Sequence, residues 1–160
     1  MRLFYAVSFA LLSSVFHICH ADEDSYKITY VYDGDTLKLR HTNGEFNLRL
    51  ADIDAPERNQ NFGLKSRRAL SKLCLGNKIS LKVTISGTDK YMRTLGKLEC
   101  NKIDASLYLV NQGLAWHYTQ YSNDPALHNA ELKARKQKRG LWATASPTPP
   151  WIWRRQQQEK

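Results

Sequence analysis

Nine consecutive residues, Arg49-Leu50-Ala51-Asp52-Ile53-Asp54-Ala55-Pro56-Glu57, bring a guanidinium and three carboxylates into one short stretch. Along a strand, Arg49, Ala51 and Ile53 would share one face and Leu50, Asp52 and Asp54 the other. Pro56 cannot extend a central strand and biases Ala55 towards an extended or turn conformation. The strand is therefore predicted to end near Asp54, with Glu57 in the loop beyond. An Asp at a strand end followed by a loop Glu suits a metal ligand beside a base. A strand that merely ends in a polar turn is the plain alternative.

Two further stretches add parts to that chemistry. Val31-Tyr32-Asp33-Gly34-Asp35-Thr36-Leu37-Lys38-Leu39 reads as strand, tight turn, strand, because Asp-Gly between extended runs marks a hairpin or bulge in which glycine accepts a positive φ. Folded beside the first stretch, it would bring Asp35 towards Asp54, an oxygen-rich site that suits a hard cation such as calcium. Asp89-Lys90-Tyr91-Met92-Arg93-Thr94-Leu95-Gly96 supplies a second guanidinium ahead of another strand. Two arginines, a cation site and a loop Glu are the groups that phosphodiester hydrolysis needs.

In these stretches the chain resembles the staphylococcal-type thermonuclease (micrococcal nuclease) family, over about Tyr26 to Trp142. Asp33-Gly34-Asp35-Thr36, Arg49 through Glu57 and Asp89-Lys90-Tyr91-Met92-Arg93 match in order and in residue type. The resemblance implies calcium held by Asp35, Asp54 and the carbonyl of Ala55, with Asp33 behind them orienting waters. The family has a threonine where Ala55 stands, but a carbonyl ligand does not depend on the side chain. Glu57 is implied to position or deprotonate the attacking water, and both roles stay open. Arg49 and Arg93 are implied phosphate binders, since a guanidinium can fork two donors onto phosphate oxygens. Lys90 and Tyr91 correspond to residues on the terminal-phosphate side of the substrate, and Tyr121 to a tyrosine that stacks on or borders the base. A second family tyrosine falls on Thr119, with Tyr118 one position away. The stretch from Glu57 to Asp89 is shorter than in the type member. The implied activity is hydrolysis of DNA and RNA with low sequence specificity, leaving 3′-phosphate ends.

The elements that must position these residues follow from periodicity. Tyr26–Tyr32, Thr36–His41 and Glu45–Ile53 read as three strands of a meander, with Ile28, Tyr30 and Tyr32 on one face of the first. Gly63–Leu75 switches to a helical period, with Leu64, Ala69, Leu70, Leu73 and Cys74 on one side. Lys78–Ser86 and Thr94–Cys100 read as two more strands. Ala105–Gln112 is a second helix capped by Asp104, and a third opens at Asp124-Pro125 and runs to about Arg139. Five strands with a helix between the third and fourth is the order of an OB-fold. The expected class is α+β: an OB-fold, a five-stranded Greek-key β-barrel with three α-helices. Neither a base-reading helix motif nor a zinc-finger spacing is visible, which fits low specificity.

Composition bounds the partners. The 160 residues suffice for one domain, and the formal charge of +9 suits a polyanion. Residues 1–21 carry Arg2, a short apolar run from Leu3 to Phe16, and Cys19-His20-Ala21; they read as a secretory signal peptide cleaved after Ala21. The apolar run falls short of the roughly 20 residues that a membrane span requires, so no stable insertion is expected. Export, to periplasm or medium, leaves Cys74 and Cys100. An oxidising compartment favours their pairing over two buried thiols. The nuclease domain is expected over 22–145, as a monomer. Residues 146–160 form a Pro/Trp-rich basic tail: Ser146–Pro150 as a stiff extended linker, then Trp151-Ile152-Trp153-Arg154-Arg155. Packing of its tryptophans onto the domain is favoured over a contact with nucleic acid or membrane. The basic end of the third helix, with Lys133, Arg135, Lys136, Lys138 and Arg139, reads first as a solvated face, with a DNA contact as the alternative.

Two other functions compete with the enzyme. One is a catalytically inactive OB-fold module that binds single-stranded nucleic acid through a basic groove and stacking. Retention of Asp35, Asp54, Arg49, Glu57 and Arg93 together argues against it. The other is an exported protein that binds anionic lipid, and it rests on charge and the tail tryptophans alone.

Overall fold

Alternating apolar residues build the sheet beneath the candidate site, in a computed structural model that describes residues 25–159. The expected signal peptide, residues 1–21, lies outside the described residues. Strands β1 (Lys27–Val31), β2 (Thr36–His41) and β3 (Gly44–Leu50) form an antiparallel meander. After β4 (Ile53–Asp54) and α1 (Gly63–Cys74), the chain makes an antiparallel pair, β5 (Leu81–Thr88) and β6 (Thr94–Cys100). Parallel pairing of β3 with β6 joins the two halves into the path β1-β2-β3-β6-β5. Short β7 (Ile103–Asp104) adds to β6, and β8 (Trp116–His117) pairs with β4 in a separate two-stranded sheet. Leu37, Leu39, Leu48, Leu50, Ile53, Leu98 and Leu109 are fully buried in the core. Each contributes roughly 1.5–3 kcal/mol by leaving water.

The α+β class stands, and its details are corrected. Among the described residues no pairing of β1 with β5 closes a barrel, and three short strands join the expected five. There are four α-helices rather than three: α1, α2 (Ala105–Asn111), α3 (Pro125–Lys136) and α4 (Pro150–Gln158). Asp104 caps α2 by accepting from the Leu107 N–H, and Asp124 caps α3 by accepting from the Ala126 N–H. Helix α3 stops at Lys136, short of the expected Arg139, and Lys138 takes a left-handed φ of 52°. The fourth helix was hidden by its prolines. Pro150 holds the first helical position, where a missing N–H costs nothing, so the stiff segment ends one residue earlier in extended Pro149.

Two expected faces also shift. In β1 a bulge between Ile28 and Tyr30 changes the phase of the alternation. Ile28 and Val31 are buried, while Tyr30 and Tyr32 turn outward. In α1 the buried stripe is Gly63, Ser66, Leu70 and Cys74, and Leu64 is exposed. Cys74 and Cys100 form a disulfide that ties the end of α1 to β6. Closing a loop with a sequence separation of 26 contributes roughly 3–4 kcal/mol through the unfolded chain.

Candidate active site

The turn between β1 and β2 is built by its own side chains. Asp33 Oδ1 accepts the backbone N–H of Asp35 at 2.9 Å and of Thr36 at 2.7 Å. Asp35 is thereby aimed inward: its Oδ1 accepts the Thr36 hydroxyl at 3.0 Å and its Oδ2 the Ala55 N–H at 2.6 Å. Gly34 does not adopt the expected positive φ. Its reason is close approach, because a Cβ there would lie 1.9 Å from Ser66 Oγ and 2.7 Å from Ala55 Cβ. The glycine lets the turn, the Asp54-Ala55 segment and α1 meet.

The Arg49–Asp54 stretch is not one continuous strand. Strand β3 ends at Leu50, Ala51-Asp52 form a turn, and Ile53–Asp54 pair with Trp116–His117 instead. Backbone bonds pin the corner: the Leu50 N–H to Asp35 O, the Ala51 N–H to Gly96 O and the Tyr118 N–H to Asp52 O. Simple alternation would have put Arg49 and Asp54 on opposite faces; the turn brings them together. Arg49 Nη2 donates to Asp54 Oδ1 at 2.9 Å, and Nε lies 3.2 Å from Asp35 Oδ1. Nη1 donates to the carbonyls of Leu50 and Ile53. Arg49, at 7 % exposure, thus spans two carboxylates exposed by only 4 % and 1 %.

Burial and crowding of like charge shape the electrostatics. Burial, then the neighbouring Asp35 charge, push the Asp33 carboxyl up to about 7 against the backbone donors that pull it down. Burial also raises Asp54, with Asp35 adding and with Arg154 and Arg49 opposing. Glu57 sits in the next loop. Its N–H donates to Gln60 Oε1 at 3.1 Å, and its carbonyl accepts the Gln60 N–H at 2.9 Å. That carbonyl also lies against Gly63, where a Cβ would come within 1.8 Å of it.

Sequence reasoning missed one residue of this cluster. Arg154, on α4, donates from Nη2 to Asp54 Oδ2 at 2.9 Å, and from Nη1 to Glu57 Oε1 at 2.8 Å and Asp54 Oδ1 at 3.2 Å. Desolvation would lower its pKa, but its bonds to Asp54 and Glu57 raise it. The available signal was Pro149-Pro150 as a helix start, which puts Trp151 and Arg154 three apart on one face. As favoured from the sequence, Trp151 packs onto the domain. It stacks on Tyr118 at 5.5 Å with the rings 9° apart, and it meets Trp116 edge-on.

The fold gathers Asp33, Asp35, Arg49, Asp54, Ala55 and Glu57, and among the described residues no hydrogen bond or ion pair joins Arg93, Lys90, Tyr91 or Tyr121 to them. Arg93 is fastened to Asp89, whose Oδ2 accepts from Nε at 2.8 Å and whose Oδ1 accepts the N–H groups of Tyr91 and Arg93. Lys90 and Arg93 both lie near the Tyr91 ring, which is 67 % exposed. Tyr121, 68 % exposed, touches the cluster only through Tyr118, edge-on at 4.8 Å. Among the described residues no group of three or more His, Cys, Asp or Glu side chains is arranged to hold a metal ion. A set of two carboxylates, a carbonyl and waters still suits a hard cation. Asp35 and Asp54 supply oxygen donors only, and both are buried beside Ala55.

The chain matches the model of the staphylococcal nuclease homologue family over residues 47–144. It is 38 % identical, across 98 % of its length and 87 % of the relative's, to a Haemophilus influenzae protein described as an uncharacterized endonuclease. A similarly described Escherichia coli protein is 39 % identical over 80 % of this chain and 83 % of its own. A micrococcal nuclease of Shigella flexneri is 33 % identical over 81 % of this chain and 79 % of its own. Site and relatives together define a hydrolase of the nuclease class. The chain belongs to the staphylococcal nuclease homologue family.

Proposed function

We propose that this protein is an exported, calcium-dependent nuclease that hydrolyses phosphodiester bonds of DNA and RNA with low sequence specificity, leaving 3′-phosphate ends. The carrying observation is the convergence of Asp35 and Asp54 on one buried guanidinium, Arg49, beside Glu57. Asp35, Asp54 and the Ala55 carbonyl would hold calcium, with Asp33 fixing the turn behind them. Bound there, the ion supplies positive charge against the phosphate oxygens.

The protein's own residues do the rest. Arg49 uses three N–H donors on Leu50, Ile53 and Asp54 and sets its Nε 3.2 Å from Asp35 Oδ1, which leaves one Nη2–H for a substrate. That donor can meet a phosphate oxygen while the inner contacts hold the group rigid. Glu57 orients the attacking water or takes its proton; the water oxygen bonds phosphorus as the bond from phosphorus to the 5′ oxygen breaks, and the proton ends on that 5′ oxygen. Arg93 completes the phosphate clamp, with Lys90, Tyr91 and Tyr121 along the substrate. We read the open sheet as a partly open OB barrel that presents this face to the nucleic acid, with domain limits of 22–145. The net charge of +9 draws in a polyanion. Among the described residues no helix is long and apolar enough to cross a membrane.

The test is hydrolysis of DNA and of RNA by the full chain in calcium, in magnesium and in chelator. Activity is expected in calcium, little in magnesium and none in chelator, because magnesium demands a stricter octahedron and dehydrates reluctantly. Full activity in chelator would remove the cation from the reaction. Binding of single strands with no hydrolysis in any condition would favour the binding-module reading.

A further inference from the structure

Helix α4 carries the one guanidinium of the cluster that no family motif assigns. It lies beyond residue 144, where the family match ends. Its docking is built rather than incidental. Gln60, buried, accepts the Glu57 N–H through Oε1 and donates through Nε2 to the Thr148 carbonyl at 2.6 Å. One side chain thus stitches the Glu57 loop to the segment leading into α4. Trp151 then packs against the cluster of Trp116, Ala134, Leu141 and Trp142, with its ring flat on Tyr118. These two anchors deliver Arg154 to Asp54 and Glu57.

With Arg154 in place, both Asp54 oxygens are engaged. Oδ2 takes one Arg154 donor, and Oδ1 takes another besides Arg49 Nη2. A divalent ion on the same oxygens would face a positive charge a few ångströms away, in a partly buried place where water screens weakly. The two cations therefore exclude each other at Asp54.

We propose that Arg154 is a tethered occupant of the cation position, an autoinhibitory contact from α4 that the divalent ion must displace before the site is complete. This rests on the reading of Asp35 and Asp54 as the calcium ligands. The latched form binds no calcium, so the apparent affinity equals the intrinsic affinity scaled down by the unlatched fraction. A latch closed about 90–99 % of the time weakens calcium binding about 10- to 100-fold. The device keeps the Asp54 and Glu57 carboxylates paired where calcium is scarce and opens the site where it is abundant.

The experiment is calorimetric titration of calcium into the unmutated chain and into Arg154→Gln, without nucleic acid, after a thermal melt confirms that each is folded. Arg154→Gln is expected to bind calcium about tenfold tighter or more. Equal or weaker binding in the variant overturns the latch alone. Binding in neither protein overturns the calcium reading and the latch together. A second measurement uses the unmutated chain and stands even if the variant does not fold. Saturating calcium should speed amide hydrogen exchange across 150–158, and unchanged or slower exchange there overturns the proposal.

Discussion

Arg49→Lys keeps the charge at the centre of the cluster and removes the fork. In the structure Arg49 donates to Leu50 O, Ile53 O and Asp54 Oδ1 and reaches Asp35 Oδ1 with Nε. A lysine ends in a single nitrogen with three donors on a flexible stem, and it cannot span all four acceptors. At least two buried acceptors then lose their donor. At ~1–3 kcal/mol for each buried group left unpaired, the folded state loses about 2–6 kcal/mol. Urea unfolding monitored by tryptophan fluorescence measures that loss as a lower midpoint at unchanged slope. Turnover at saturating DNA in calcium should fall about 10²-fold or more, the typical cost of one preorganised donor to a developing phosphate charge. Two outcomes would refute the reasoning. Near-normal turnover would mean that Arg49 is structural only, and a stability loss under ~1 kcal/mol would mean that its four contacts are not coupled to folding.

Three further predictions rest on single contacts. Glu57→Gln keeps the size and the loop but removes the base, so turnover should drop about 10²- to 10⁴-fold with KM little changed, measured by steady-state kinetics; a parallel rise in KM would point to a binding role instead. Gly34→Ala places a methyl 1.9 Å from Ser66 Oγ and 2.7 Å from Ala55 Cβ, so it should destabilise by about 1–3 kcal/mol and lower calcium affinity. Adding Ser66→Gly should recover part of that loss in a double-mutant cycle, and strict additivity would contradict the close-approach argument. The Cys74–Cys100 bridge predicts that neither Cys74 nor Cys100 is alkylated in the unfolded, unreduced chain, and a loss of roughly 3–4 kcal/mol on reduction with turnover at low temperature preserved.

The sequence by itself determined the chemical inventory and its order. Asp33-Gly34-Asp35-Thr36, Arg49 through Glu57 and Asp89 through Arg93 are local patterns, and residue types together with Pro56 mark where strands must stop. The caps at Asp104 and Asp124 were equally legible, because capping acts within a few residues. Only the tertiary structure decided which inventory items meet. The turn at Ala51-Asp52 and the partner strand β8 carry Asp54 to the side of Arg49, and that depends on Trp116–His117, more than 60 residues away. The bulge in β1 turned Tyr30 outward for the same kind of reason, since register is set by a neighbouring strand rather than by the strand's own alternation. Arg154 reaches Asp54 across a sequence separation of 100, held by Gln60 and by Trp151 on Tyr118. No periodicity records such a contact, because its stabilisation comes from surfaces that exist only once the sheet and α3 have folded and left Trp116 and Tyr118 for α4 to cover.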